Sequence, residues 1–162
     1  MTPPDSKKPV ADPDAPWWKD GVRFECRNQR CCCVTHGECS YVFVNRQDRE
    51  RLAEHLGLAP ADFARRFCDR IGYRWYLRDA PGSEACLFLS AEGCGVYEAR
   101  PTQCRTWPFW PENMDEEAWA RVAAFCPGIG RGRRWSAEQI AGRLAEQAES
   151  EDFEPEEAEE CG

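Results

Sequence analysis

Phe24-Glu25-Cys26-Arg27-Asn28-Gln29-Arg30-Cys31-Cys32-Cys33 packs four thiols into one short stretch. A loop of this length can bring several soft anionic donors together, which is what a thiolate-bound metal requires. Adjacent Cys side chains diverge, so one member of a Cys-Cys pair can point elsewhere, toward a second site or into the core as a small hydrophobe. Outward from this stretch the chain stays rich in the same residue. Eleven of its 162 residues are Cys.

An odd number of thiols leaves one unpaired in any all-disulfide scheme. The opening residues MTPPDSKKPVADPDAPWWKD contain no apolar core of a secretory signal. No run approaches the ~18 apolar residues of a membrane helix. The expected location is therefore cytoplasmic, a reducing compartment in which clustered thiols hold metal or do redox chemistry and disulfides are rare.

Hydrophobic residues make up 42% of the chain and charged residues 31%, enough apolar content for one packed domain. The net charge of −8 resides in the tail, since residues 146–162 hold nine acids and no Lys or Arg. A like-charged end of this kind is expected to be solvated and disordered. The Arg131-Gly132-Arg133-Arg134 run contacts that tail or simply solvent. No basic stripe with interleaved aromatics stands out, so neither nucleic acid nor a membrane is an expected partner.

The expected organisation is a disordered Pro-rich leader over residues 1–20, a cysteine-cluster metal-binding domain over 21–145 and an acidic disordered tail over 146–162. Trp17 and Trp18 end the leader and are positioned to pin it to the body. Tyr41-Val42-Phe43-Val44 reads as a short strand. Asn45 with Asp48 forms a capping box for a helix that Gly57 stops, with Leu52, His55 and Leu56 on one face. Pro60 opens a second helix, with Phe63, Phe67 and Ile71 at helical spacing and Cys68 as a core thiol. Residues 73–78 and 86–89 read as strands around the turn Ala80-Pro81-Gly82. Residues 118–125 form a helix, and Ser136 with Gln139 caps a last one running to about Gln147. The expected fold class is α+β, a small loop-rich single domain organised around its cysteine metal site or sites.

Four further thiols sit beside turn punctuation: Cys86, Cys94 between Gly93 and Gly95, Cys104 after Arg100-Pro101, and Cys126 before Pro127-Gly128. Thiols this far apart need the fold to bring them to one point, so metal and fold are expected to depend on each other. Taken in order, Phe24-x-Cys26, Cys32-Cys33, Cys86-Leu-Phe-Leu, Gly93-Cys94-Gly-Val-Tyr97, Arg100-Pro101-x-x-Cys104-Arg105 and Trp107-Pro108-Phe109 resemble the YkgJ-type cysteine-cluster family. That family is also described by its CxxCxxCC pattern and by zinc or iron chelation. The resemblance runs from about Phe24 to Ile140 and implies a metal bound through Cys thiolates, an iron–sulfur cluster first and zinc as the alternative. It does not imply a settled reaction.

The family pattern would place thiols at positions 26, 29, 32 and 33, but position 29 is Gln and Cys31 stands close by. Either Cys31 replaces the missing ligand or one site has lost a thiolate. The expected metal ligands are Cys26, Cys31, Cys32, Cys33, Cys86, Cys94, Cys104 and Cys126, enough for two four-thiolate sites or for one with four spare thiols. Cys39 is a reserve ligand, Cys161 an exposed bystander, His36 a solvent-facing loop residue before it is a ligand, and His55 a packing or surface residue. Arg100 and Arg105 donate to cluster sulfurs or pair with carboxylates elsewhere. Trp107, Phe109 and Trp110 form an apolar lid or part of the core.

No Gly-rich phosphate loop, Ser/His/Asp arrangement or Cys-x3-Cys-x2-Cys spacing is present, so no catalytic constellation emerges. The functional expectation is an iron–sulfur or zinc protein, with a role in electron transfer or redox sensing alongside a redox or protein partner. The alternative is a structural zinc module that binds a protein without redox activity. An enzyme using the cluster as cofactor is the third possibility.

Overall fold

A reciprocal pair of hydrogen bonds starts the first helix. Asn45 Oδ1 accepts from the Asp48 N–H at 2.8 Å, and Asp48 Oδ2 accepts from the Asn45 N–H at 3.4 Å. In the computed structural model, which describes residues 14–28, 33 and 41–151, this caps α1 (Arg46–Leu56). Gly57 ends α1 in the left-handed conformation at φ 68°. Pro60 opens α2 (Pro60–Phe67), where its missing N–H falls among groups that have no helical partner anyway. Leu52, Ala53 and Phe63 are fully buried, whereas His55 and Leu56 face solvent.

Cys68 is not helical. It begins β2 (Cys68–Ile71), which pairs antiparallel with β3 (Arg74–Leu77), Cys68 opposite Leu77. The expected continuation of one helical face from Phe63 to Ile71 therefore stops at Phe67, and Ile71 is 47% exposed near the hairpin turn. Gly72 turns the chain at φ 61°, and the extended segment gains a ladder of partners that further helix would have forgone. Cys68 remains a core thiol, 2% exposed. The run expected as a strand before α1 makes one bridge, Phe43 to Tyr76, and the Val44 N–H donates to Trp75 O at 2.9 Å.

The remaining elements range from two-residue strands to the 15-residue last helix. They are β4 (Leu89–Ser90), β5 (Gly93–Cys94), α3 (Thr102–Thr106), α4 (Glu116–Phe125), β6 (Ile129–Trp135) and α5 (Ala137–Glu151). Of residues 86–88, expected in a strand, Leu87 and Phe88 are turn and Cys86 makes a single bridge to Asp79. β1 (Val22–Phe24) pairs antiparallel with β6, Val22 opposite Trp135. Ser136 and Gln139 cap α5 reciprocally, at 3.0 and 3.2 Å. α5 runs past its expected end at Gln147 because that side chain is buried against Thr106 Oγ1 at 2.7 Å, and Gln147 Nε2 donates to Glu151 at 2.9 Å. Trp17 does attach to the body. Its Nε1 donates to Met114 O at 2.7 Å, and its ring lies 5.2 Å from Trp119.

The molecule is a small α+β domain with two apolar clusters. One gathers Leu52, Phe63, Trp75 and Leu77 from α1, α2 and the β2–β3 hairpin, with Val44 from before α1 and Val96 from further along the chain. The other gathers Phe24, Phe109, Val122 and Ile140 from β1, α4 and α5. No helix among the described residues is long and apolar enough to cross a membrane.

α3 bridges the two clusters and has no side-chain cap of its own. Its first N–H, that of Thr102, donates to Asp48 Oδ1 at 2.9 Å, and the Thr102 hydroxyl donates to the same oxygen at 2.8 Å. One buried carboxylate thus serves the N-termini of two helices, a favourable place for negative charge.

Candidate metal centre

The two apolar clusters meet around a cavity of about 360 Å³. Cys26, Cys33, Cys86, Cys94, Cys104 and Cys126 all line it. Each arrives from a different part of the chain. Cys26 follows β1 and Cys126 ends α4, and the turn beyond Cys126 is clamped to β1 because the Glu25 N–H donates to Gly128 O at 3.2 Å. That approach requires glycine, since a Cβ at Gly128 would lie 2.2 Å from Glu25 O. Cys33 and Cys86 are joined through their backbones, the Cys86 N–H donating to Cys33 O at 2.8 Å. Cys94 ends β5 and Cys104 sits in the middle of α3.

Asn28 sets the Cys94 position. It adopts a left-handed φ of 52°, which Asn tolerates, and its Oδ1 accepts from the Cys94 N–H at 2.9 Å. Gly93 lies against the Asn28 amide at φ 114°, where an added Cβ would stand 2.5 Å from Nδ2. Gly93→Ala is therefore expected to cost about 1–3 kcal/mol of stability through backbone strain. It should also lower metal content by displacing Cys94. Urea unfolding with metal analysis of the same sample checks both, and unchanged metal would show that the Asn28–Gly93 contact does not position the site.

Four of the thiols, Cys33, Cys86, Cys94 and Cys104, stand in one another's fields. Burial pushes the Cys86 thiol up to about 11, aided by Cys33 and Cys94. Burial raises Cys94, with Cys33 adding to it and Arg100 opposing. Cys104 is pushed well above the usual thiol range by burial and then by Cys86, Cys33 and Cys94. Tyr97 is raised by burial and by its hydrogen bond to Cys26. Cys86, Cys94 and Cys104 thus favour the protonated thiol until a cation offsets the charge, and binding a metal there would release protons.

The remaining described thiol, Cys68, lies in the first apolar cluster away from the cavity. Burial raises it from the ordinary value of 9.0 to about 12. The folded state thus favours the neutral thiol, and this stability is present below pH 9 and lost as pH rises toward 12. Each pH unit in that window costs the metal-free protein about 1.4 kcal/mol per such thiol. Urea midpoints at mildly and strongly alkaline pH should show a shallower loss for Cys68→Ala, and equal slopes would contradict this.

The donor set suits a soft metal group. Besides six thiols, the cavity wall carries three buried N–H groups with no acceptor among the described residues: Arg100 Nε, Arg105 Nε and Trp107 Nε1. Buried donors of this kind are normally satisfied, and the sulfur of a thiolate or an inorganic sulfide would accept from them. As the side chains stand, no group of three or more His, Cys, Asp or Glu among the described residues is arranged to hold a single ion. The thiols surround a space rather than a point.

Cys31, Cys32, Cys39, Cys161 and His36 lie outside the described residues. Arg105 takes the carboxylate role, ion-pairing with Glu146 at 2.7 Å, and its Nε has no acceptor among the described residues. Phe109 is core, 1% exposed, whereas Trp107 lines the cavity and packs on Trp110 at 4.7 Å. Asn28, Tyr97 and Trp135 also line the cavity, and nothing local in the sequence marks Asn28 or Trp135 for such a place. Only the glycine beside Cys94 hinted at a close neighbour.

Fold and cavity together define a cysteine-cluster protein of the α+β class. The chain belongs to the family described as "CxxCxxCC: Putative zinc- or iron-chelating domain", whose model matches residues 25–127. No solved structure matches the chain.

Proposed function

We propose that this chain binds an iron–sulfur cluster through cysteine thiolates and works in electron transfer or redox sensing with a protein partner in the cytoplasm. The observation that carries this reading is the convergence of six thiols and three unaccepted N–H donors on one cavity, which is wider than a single ion needs. Cys26, Cys33, Cys86, Cys94, Cys104 and Cys126 are the described ligands from which the cluster draws, with Cys31 and Cys32 completing the set. Arg100, Arg105 and Trp107 donate hydrogen bonds to sulfur, which stabilises the more negative state. Trp107, packed on Trp110 and Phe125, limits water at that wall. When bound, such a cluster supplies one-electron chemistry. Neither nucleic acid nor a membrane belongs to this reading.

A structural zinc site is the second reading. It is favoured by the grouping of Cys33, Cys86, Cys94 and Cys104 from separate segments, which a four-coordinate ion would tie together. Elemental analysis with a visible absorption spectrum on anaerobically purified protein separates the two. Iron with acid-labile sulfide and a broad visible band is the expected result. Stoichiometric zinc in a colourless sample, with zinc replacement during expression ruled out, would favour the structural module. Absence of any metal would overturn both.

A further inference from the structure

Arginine, not lysine, surrounds the cavity. Arg27, Arg100, Arg105, Arg133 and Arg143 line it, and Glu25 is the one acid among the lining residues. This positive concentration is opposite in sign to the net charge of −8. Arg100 is accounted for by the thiols, since it acts electrostatically on Cys94 and Cys104. Arg133 and Arg143 are not. Their guanidiniums lie 3.8 and 5.4 Å from the centre of the Trp135 ring. That ring is anchored by its Nε1–H donating to Phe24 O at 3.0 Å.

The same end of the cavity is braced from behind. Glu146 bridges Arg105 and Arg143, each at 2.7 Å, and so holds two guanidiniums side by side with one carboxylate between them. Arg133, exposed on β6, forms no ion pair among the described residues. A guanidinium laid on an aromatic face, as Arg133 is at 3.8 Å, keeps N–H edges available to an oxyanion, and Arg143 stands beside it with one edge shared with Glu146. The volume is at the small end of the range for ligand pockets.

We propose that the Trp135 end of the cavity is a subsite for a small anionic molecule, a carboxylate or a phosphate ester, held by Arg133 and Arg143 beside the thiols. Its meaning as a substrate or effector subsite next to a metal group rests on the reading above; anion binding itself does not. The anion's oxygens accept from the two guanidiniums. A ligand bound there would stand next to the redox or Lewis-acid centre without displacing a thiol.

The test is calorimetric titration of the full-length, anaerobically purified protein at low salt with two probes, succinate and glycerol phosphate, metal content being measured on the same samples. Saturable one-to-one binding of one probe is expected, and the probe that binds identifies the class of anion. Arg133→Gln should weaken it about ten- to a hundredfold, the effect of losing a charged hydrogen-bond donor. Metal content, visible spectrum and thermal midpoint should stay unchanged, since Arg133 is exposed. Arg143→Gln should weaken it as well. Arg23→Gln, at the exposed β1–β6 edge and outside the cavity lining, serves as a control and should bind normally. No saturable binding of either probe, or binding indifferent to Arg133→Gln, overturns the subsite. Metal retained with anion binding absent sinks the subsite alone; anion binding retained in a metal-free chain sinks only the metal reading.

Discussion

Serine at Cys104 is expected to remove most of the bound metal. Cys104 sits in α3 and lines the cavity, within the fields of Cys86, Cys33 and Cys94. A hydroxyl has almost the same shape as a thiol but does not ionise at such a site and is a poor ligand for a soft metal. Loss of a supporting partner alone lowers metal affinity about 10–100-fold, and loss of a ligand should exceed that. Cys94→Ser should act in the same direction, because Cys94 shares neighbours with Cys104. Cys161→Ser and Cys68→Ala are the controls. The first changes a thiol in the acidic tail and the second a thiol in the apolar cluster, and neither should change metal per chain. Metal analysis of all four variants decides the matter. Full metal in Cys94→Ser and Cys104→Ser would sink the ligand assignment.

Asp48→Ala should be the most destabilising polar substitution in the molecule. The carboxylate is 1% exposed and accepts from Arg51 at 2.7 Å, from the Thr102 N–H and hydroxyl, and from the Asn45 N–H. Truncation leaves a buried N–H and a buried hydroxyl without acceptors and removes the ion pair to Arg51, which keeps only its bond to Arg100 O at 2.9 Å, a combination that costs about 3–5 kcal/mol. It also unties α3 from α1, so Cys104, two residues beyond Thr102, should lose its position and metal content should fall along with stability. Asp48→Asn keeps an acceptor for Thr102 and should lose less on both counts. Urea unfolding of the metal-free forms supplies the stability difference. A change below about 1 kcal/mol, the scale of a surface substitution, would show that the network contributes little.

Local signals were the readable ones. Asn45 with Asp48, Pro60, and Ser136 with Gln139 marked helix starts correctly, because a cap is satisfied within three or four residues and needs nothing from the rest of the chain. The period of Phe63, Phe67 and Ile71 misled at its end, because β3 offered residues 68–71 backbone partners that helical spacing cannot reveal. The β1–β6 pairing was not legible at all. Its strands are separated by almost the whole domain, and Gly130 and Gly132 break any alternation in β6.

The candidate site divides in the same way. From residue identity alone followed the chemistry, thiolates for a soft metal group, and the candidate ligands, which the family pattern ordered. Tertiary structure decided which thiols share a space: Cys26 and Cys126 come through the β1–β6 junction, Cys33 and Cys86 through one backbone hydrogen bond, Cys94 through Asn28, and Cys104 through a helix capped by a carboxylate from another helix. It also decided that Arg133 and Arg143 flank Trp135 at the same cavity. Donor chemistry belongs to each side chain and can be read one residue at a time. Convergence belongs to contacts between distant segments, and only the packed chain fixes those.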